Sequence, residues 1–193
     1  MNLALFDFDG TLTTKDTLDE FLRFSVGLKT YYIKLLLFSP IFILYKLKII
    51  KNDIAKQKLI SLFFKGFKEN DFKALAQEYS IKNIDLVIRE DIYQRFQEHI
   101  SNGDKVIVVS ASLQCWLQPW CDKHGVQLLS TRLEFVEGHI TGKFATKNCH
   151  GQEKVERLEQ ELDINDYESI YAYGDSSGDT QMLKIADYPT KVK

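Results

Sequence analysis

Few cysteines, no excess of either charge, no internal repeat and no uncharged apolar run long enough to span a bilayer mark this 193-residue chain. Cys115, Cys121 and Cys149 form neither a CxxC pair nor an even-numbered framework. That argues against a disulfide scaffold and suits reduced thiols in a cytoplasmic protein. Basic residues number 25 against 27 acids, a net charge of -2, so no general field recruits nucleic acid and an anionic partner needs a local site. Met1 leads through one short apolar run straight into an acidic turn, without a basic stretch, and a secretory leader is not expected. The length allows one domain with an insertion, or two small ones.

Strand-like runs alternate with helical stretches, the pattern of a parallel sheet covered on both faces. Residues 3–8 read as the first strand. Residues 16–80 show helical periodicity and no convincing strand, with helices expected over 17–26, 31–50, 53–64 and 71–80, so this stretch reads as a helical insertion. Helix resumes over 83–100 and stops at Asn102-Gly103-Asp104 before the apolar run 106–109, which ends in Ser110. A helix over 113–124, a short strand over 126–130, a hairpin turn at Glu137-Gly138-His139 and a helix over 152–162 follow. The last expected strand, 169–173, runs into Gly174-Asp175-Ser176-Ser177-Gly178-Asp179 and a further helix.

The unusual polar residues fall at the ends of these strands. Asp7 and Asp9 follow the first, Ser110 ends the second, and Asp175 follows the last. In open α/β sheets the ligand crevice lies beyond the carboxyl ends of the strands, so the fold itself gathers these distant groups. A turn whose aspartates merely cap the next helix is the alternative for Asp7-Phe8-Asp9-Gly10-Thr11, and the convergence argues against it. Asp7, Asp9, Asp175 and Asp179 offer hard oxygen ligands and no soft ones, which suits Mg²⁺. With Ser110 and Lys154 adding a hydroxyl and a positive charge, phosphoryl transfer is the chemistry that fits best.

In their order and spacing, Asp7-Phe8-Asp9-Gly10-Thr11, Ser110, Lys154 and Gly174-Asp175-Ser176-Ser177-Gly178-Asp179 resemble the four motifs of the haloacid dehalogenase (HAD) superfamily, over nearly the whole chain. The insertion after the first motif resembles that of the phosphoserine-phosphatase-like members, subfamily IB. The resemblance implies a three-layer, Rossmann-like core of residues 1–15 and 81–193 with a helical C1-type cap of residues 16–80. It implies a Mg²⁺-dependent phosphatase acting through an aspartyl-phosphate, with Asp7 as nucleophile and Asp9 as general acid and base. Ser110 would hold the phosphoryl oxygens, Thr11 would support the loop beside the substrate, and Lys154 would stabilise nucleophile and transferring group. Asp7, Asp175 and the Asp9 carbonyl would hold Mg²⁺, with Asp179 bound directly or through water. Transfer of the phosphoryl group to an alcohol shares every motif with hydrolysis. A catalytically silent module should have lost one of these residues, and all are intact.

The cap should choose a small phosphorylated substrate. No arginine lies between Arg23 and Arg89 to grip an amino-acid carboxylate, and Lys56 or Lys58 would be a poorer substitute, which argues against phosphoserine. Asp16 reads equally as a substrate contact or as the N-cap of the helix starting at Thr17. The stretch 31–50, YYIKLLLFSPIFILYKLKII, is apolar nearly all round, but its longest uncharged part, Leu35 to Tyr45, is about half of the roughly 20 residues a bilayer needs, and Pro40 interrupts it. It reads as a hairpin packed in the cap, or as a surface dipping into the inner membrane face with Lys34, Lys46 and Lys48 meeting anionic head groups. An apolar cap followed by Cys149-His150-Gly151-Gln152-Glu153-Lys154 also resembles the membrane-associated phosphatidylglycerophosphatase C group of the superfamily, which implies a lipid phosphate. His150 reads as a cap or solvent group before its helix, Trp116 and Trp120 as core packing, and the Glu153–Glu161 run as a solvated helix face.

Overall fold

The computed structural model describes residues 1–193. Its centre is a parallel sheet of five strands in the order β3-β2-β1-β6-β7. These are β1 (Leu3–Phe6), β2 (Lys105–Leu113), β3 (Gln127–Thr131), β6 (Ile170–Gly174) and β7 (Tyr188–Lys191), while β4 (Leu133–Val136) and β5 (His139–Phe144) form a separate antiparallel hairpin. Side chains alternate across the sheet with the strand period of two. Ala4, Phe6, Val106 and Val108 point to one face, under α4 (Glu90–Ser101) and α5 (Gln114–His124). Leu3, Leu5, Ile107, Val109, Ile170 and Ala172 point to the other, under α6 (Gln152–Glu161) and α7 (Thr180–Lys184). Burial on both faces explains why these strands read as unbroken apolar runs.

Between β1 and β2 the chain forms α1 (Thr17–Lys46), α2 (Asn52–Phe64) and α3 (Glu69–Asn83). Helix α1 is bent at Gly27, whose φ of 73° and ψ of 158° interrupt the helical geometry, so the helices expected over 17–26 and 31–50 are the two arms of one bent rod, the second stopping at Lys46 and not at 50. The inserted helices do not stand apart from the sheet's core. Phe21, Phe64, Phe72 and Tyr79 join Trp116, Trp120 and Phe96 in one continuous buried cluster, with Phe21 stacked on Trp116 at 4.6 Å. The β4–β5 hairpin packs along α2 and pairs with Lys68 through His139.

Two strand readings need correction. Strand β2 runs past Ser110 to Leu113, with its pairing to β3 shifted between those residues, because a local irregularity absorbs Ala111 and Ser112 without ending the strand. Strand β7 was not expected. It is a four-residue exposed edge containing Pro189, and so short and polar an edge carries no alternating pattern to read. The cysteines are unpaired, and burial pushes the Cys115 thiol up to about 12 and the Cys149 thiol to about 11, which makes both poor nucleophiles.

Candidate active site

Strand β1 lies between β2 and β6, so the residues that leave their carboxyl ends meet. Asp7 comes first after β1, and its N–H donates to the Tyr173 carbonyl at 2.9 Å, extending the ladder by one residue. The chain then makes one wide turn over residues 8–12, closed by the Thr13 N–H on the Phe8 carbonyl at 3.0 Å. Gly10 is required there twice over. Its φ is 79°, and a Cβ would stand 2.5 Å from an Asp175 carboxylate oxygen. Arg89 holds the turn from behind, donating to the Gly10 carbonyl at 3.2 Å. Gly174 lets Asp179 approach, since a Cβ would lie 2.5 Å from the Asp179 Cβ.

Three carboxylates, those of Asp7, Asp175 and Asp179, place oxygens within 4.8 Å of one another. Lys154, buried at the first turn of α6, reaches across with its ammonium 2.6 Å from Asp7 Oδ1, Asp179 Oδ1 and the Val109 carbonyl. Burial pulls the Lys154 ammonium down, but Asp7 and Asp179 outweigh it and hold the group above its ordinary value, charged. Asp179 is also pushed up by burial, yet Lys154 and the Ser176 N–H, at 2.9 Å, pull it below the usual carboxylate range. Asp7 answers differently to the same lysine. Its burial prevails and, with Asp179 repelling it, lifts it to about 6. Asp175 is raised by burial and by Asp179. Three clustered carboxylates with one lysine leave negative charge uncompensated, and an all-oxygen donor set of this kind fits a hard divalent cation.

The Asp9 carboxylate lies outside this group. It accepts the Thr17 N–H at 2.8 Å and a hydroxyl hydrogen bond from Ser112, and it is not part of the three-carboxylate cluster. Burial, aided by the negative charge of Asp16, lifts it to about 7. Two carboxylates two residues apart are thereby held in different environments. Ser110 is buried at the cavity floor, with its Oγ accepting the Ser112 N–H at 3.0 Å. Thr11, expected beside the substrate, is wholly buried and absent from the cavity wall. Its hydroxyl donates toward Asp7 at 3.2 Å and reaches Asp175 at 3.5 Å, which orients the carboxylates from behind. Asp16 is the N-cap of α1, accepting the Leu18 N–H at 2.8 Å, and it also lines the cavity.

These groups open into one cavity of about 460 Å³. Its far wall is apolar, formed by Phe38, Phe42 and Tyr45 of α1 with Leu59 of α2. Lys56 also lines it, donating to the Ala111 carbonyl at 2.9 Å, while Lys58 is exposed and takes no part. Burial lowers the Lys56 ammonium, against the pull of Asp16, Asp9 and Asp7. His150, read from the sequence as a cap or solvent group, borders the cavity beside Gly178. Sequence reasoning did not single out Ser112, the Thr17 N–H or Arg89. The hydroxyl two residues after Ser110 was a visible signal for the first; nothing local pointed to the other two.

Two carboxylates held in different environments, a buried lysine and a three-carboxylate cluster able to hold a cation, at the carboxyl edge of a doubly wound sheet, fit a hydrolase of the phosphomonoester type. Over residues 4–184 the sequence matches the model of the haloacid dehalogenase-like hydrolases, and the chain belongs to that family. It is 35% identical over 191 residues to Protein CicA of Caulobacter vibrioides, covering 96% of this chain and 83% of that protein. Among solved structures, a protein of unknown function from Bordetella pertussis Tohama I aligns with a TM-score of 0.80 at 22% identity, over 96% of this chain and 86% of that one. A phosphoserine phosphohydrolase-like protein from Francisella tularensis aligns with a TM-score of 0.69 at 19% identity, over 97% and 84%.

Proposed function

We propose that the chain is a Mg²⁺-dependent phosphatase that hydrolyses a phosphomonoester through a phosphorylated Asp7. The observation that carries this reading is the Lys154 ammonium held 2.6 Å from both Asp7 and Asp179 inside the three-carboxylate group. Bound by Asp7, Asp175, Asp179 and the Asp9 carbonyl, Mg²⁺ would neutralise charge on the phosphoryl oxygens. Lys154 offsets the same charge and counters part of the effect of burial on Asp7, which at about 6 is mostly ionised at neutral pH and free to attack. Ser110 Oγ and neighbouring main-chain N–H groups orient the phosphoryl oxygens. In the first step an Asp7 carboxylate oxygen attacks phosphorus while the ester oxygen leaves with a proton from Asp9. In the second, Asp9 takes a proton from the water that attacks the acyl-phosphate, releasing inorganic phosphate and restoring Asp7. A carboxyl group titrating near 7 is suited to both transfers.

The test is phosphate release from p-nitrophenyl phosphate with Mg²⁺, coupled to mass spectrometry of acid-quenched protein. Expected are turnover lost to a chelator and restored by Mg²⁺, and a phosphoryl adduct on the peptide containing Asp7. Activity that survives chelation, or an adduct elsewhere, refutes the reading. Release of a phosphorylated alcohol in place of inorganic phosphate, when an alcohol is supplied, would reassign the second step to phosphotransfer.

A further inference from the structure

The distal arm of α1 has two faces that the catalytic reading leaves unequal. Its inner stripe is fixed to the protein: Tyr31 and Phe38 are buried, and Lys34 donates to the Leu62 and Phe63 carbonyls at 3.0 and 3.1 Å, pinning the arm to the end of α2. Its outer stripe is uncovered and almost wholly apolar. Tyr32, Ile33, Leu36, Leu37, Ile43 and Leu47 are all more than half exposed, with Leu36 at 74%. A contiguous apolar strip along a helix arm of about 28 Å is unusual on a free soluble surface.

Its charge says what covers it. Residues 28–51 contain five lysines, at 29, 34, 46, 48 and 51, and no acidic residue, in a chain whose net charge is -2. Lys29 stands exposed at one end of the strip, and Lys46, Lys48 and Lys51 stand exposed at the other. Apolar side chains along one side of a helix with cations at both ends are the pattern of an element lying in a membrane interface. We propose that this outer face of α1 and the lysine-bearing turn after it dock on an anionic lipid bilayer.

Two other occupants fit less well. A second copy of the chain would bring two five-lysine segments together across a symmetric interface, with no acidic residue in either to pair them. A membrane span fits the length of α1, whose most apolar window has a mean hydropathy of 1.4. But the Gly27 bend and the inner contacts to α2 leave only one side of the arm free, so the helix lies along the bilayer and does not cross it. Phe38, Phe42 and Tyr45 of the same arm line the catalytic cavity, so docking face and cavity share one helix.

The inference is independent of which phosphomonoester is cleaved, and its test separates the two. The protein is sedimented with vesicles of phosphatidylcholine containing about one phosphatidylglycerol in three, and with pure phosphatidylcholine vesicles. Wild type is expected to pellet with the first at low salt and to remain in solution with the second. Leu36→Ser with Leu37→Ser is expected to stay in the supernatant. Lys48→Gln with Lys51→Gln is expected to bind about 25-fold more weakly, at roughly fivefold per lysine. Both pairs lie off the cavity wall and are expected to keep wild-type melting and p-nitrophenyl phosphate turnover. Wild type remaining unbound, or both variants pelleting like wild type, overturns the proposal. So does a dimer in sedimentation velocity that the leucine variant dissociates. Vesicle binding without phosphatase turnover would sink the proposed activity and leave the docking face standing.

Discussion

Replacing Asp7 with Asn should abolish turnover and, in the presence of a chelator, make the protein more stable. Burial and Asp179 together lift the Asp7 carboxyl from an ordinary value near 4 to about 6, so above pH 6 its ionised form is a liability to the folded state. At 1.36 kcal/mol per pH unit the liability is about 3 kcal/mol. Asparagine is neutral and nearly isosteric. Its side-chain oxygen can still accept from Lys154, Asp179 still pairs the ammonium, and the Thr11 hydroxyl can rotate to accept from the new amide. The sign with pH follows. A carboxyl raised in the folded state makes folding bind protons, so wild type loses stability as pH climbs from about 4 through about 6, and the variant does not. The two proteins should match near pH 4 and differ by about 3 kcal/mol near pH 8, or about 6–12 °C in Tm for a chain of this size. Urea unfolding across that range, with chelator, measures it. A variant less stable than wild type near pH 8, or a gap that does not change with pH, refutes the account of the site's electrostatics.

Other perturbations separate the remaining parts. Asp9→Asn should lower kcat by about 10²- to 10⁴-fold while leaving Mg²⁺ dependence unchanged, and a shift in the Mg²⁺ requirement would count against a proton-transfer role. Gly10→Ala forces a Cβ to 2.5 Å from Asp175 in left-handed backbone. It should cost about 1–2 kcal/mol of stability and raise the Mg²⁺ concentration needed for half-maximal activity; unchanged values of both would show that the close approach is immaterial. Asp104 is pushed up by burial, but its bonds with His99 at 2.8 Å and the Asn2 N–H at 3.1 Å leave it below the usual range, so it stabilises the fold above about pH 4 and ceases to as pH falls through its folded value. Asp104→Asn should therefore destabilise by about 1–2 kcal/mol at neutral pH, with the gap closing in acid, and a gap that widens in acid would reverse the assignment.

What could be read from sequence was whatever a strand end announces locally. Asp7, Ser110 and Asp175 stand beside buried apolar runs, where a carboxylate or hydroxyl is conspicuous, and the parallel order of the strands then brings them together. Lys154 could be read only as a positive charge, and its place beside the nucleophile only from the resemblance, because a lysine in the first turn of a polar helix looks like any solvated residue until its burial is known. Illegible were the partners that act through the main chain or across long separations. The Thr17 N–H and Ser112 fix Asp9 from 8 and 103 residues away, and Arg89 holds the Gly10 carbonyl from 79. Such contacts leave no pattern, since neither partner is unusual where it stands. Thr11 was legible as a support for the loop, and its hydroxyl does reach Asp7 and Asp175, but the motif could not say that it is wholly buried behind them and not on the cavity wall. The inserted helices follow the same logic. Their helical periodicity was plain, but a sequence apolar on every side cannot say which face is covered. Only the Lys34 bonds to α2 and the buried Phe38 divide the arm into an inner wall for the cavity and an outer strip left free. That division is why Leu36 and Leu37 can be changed without touching the wall that Phe38, Phe42 and Tyr45 present to the cavity.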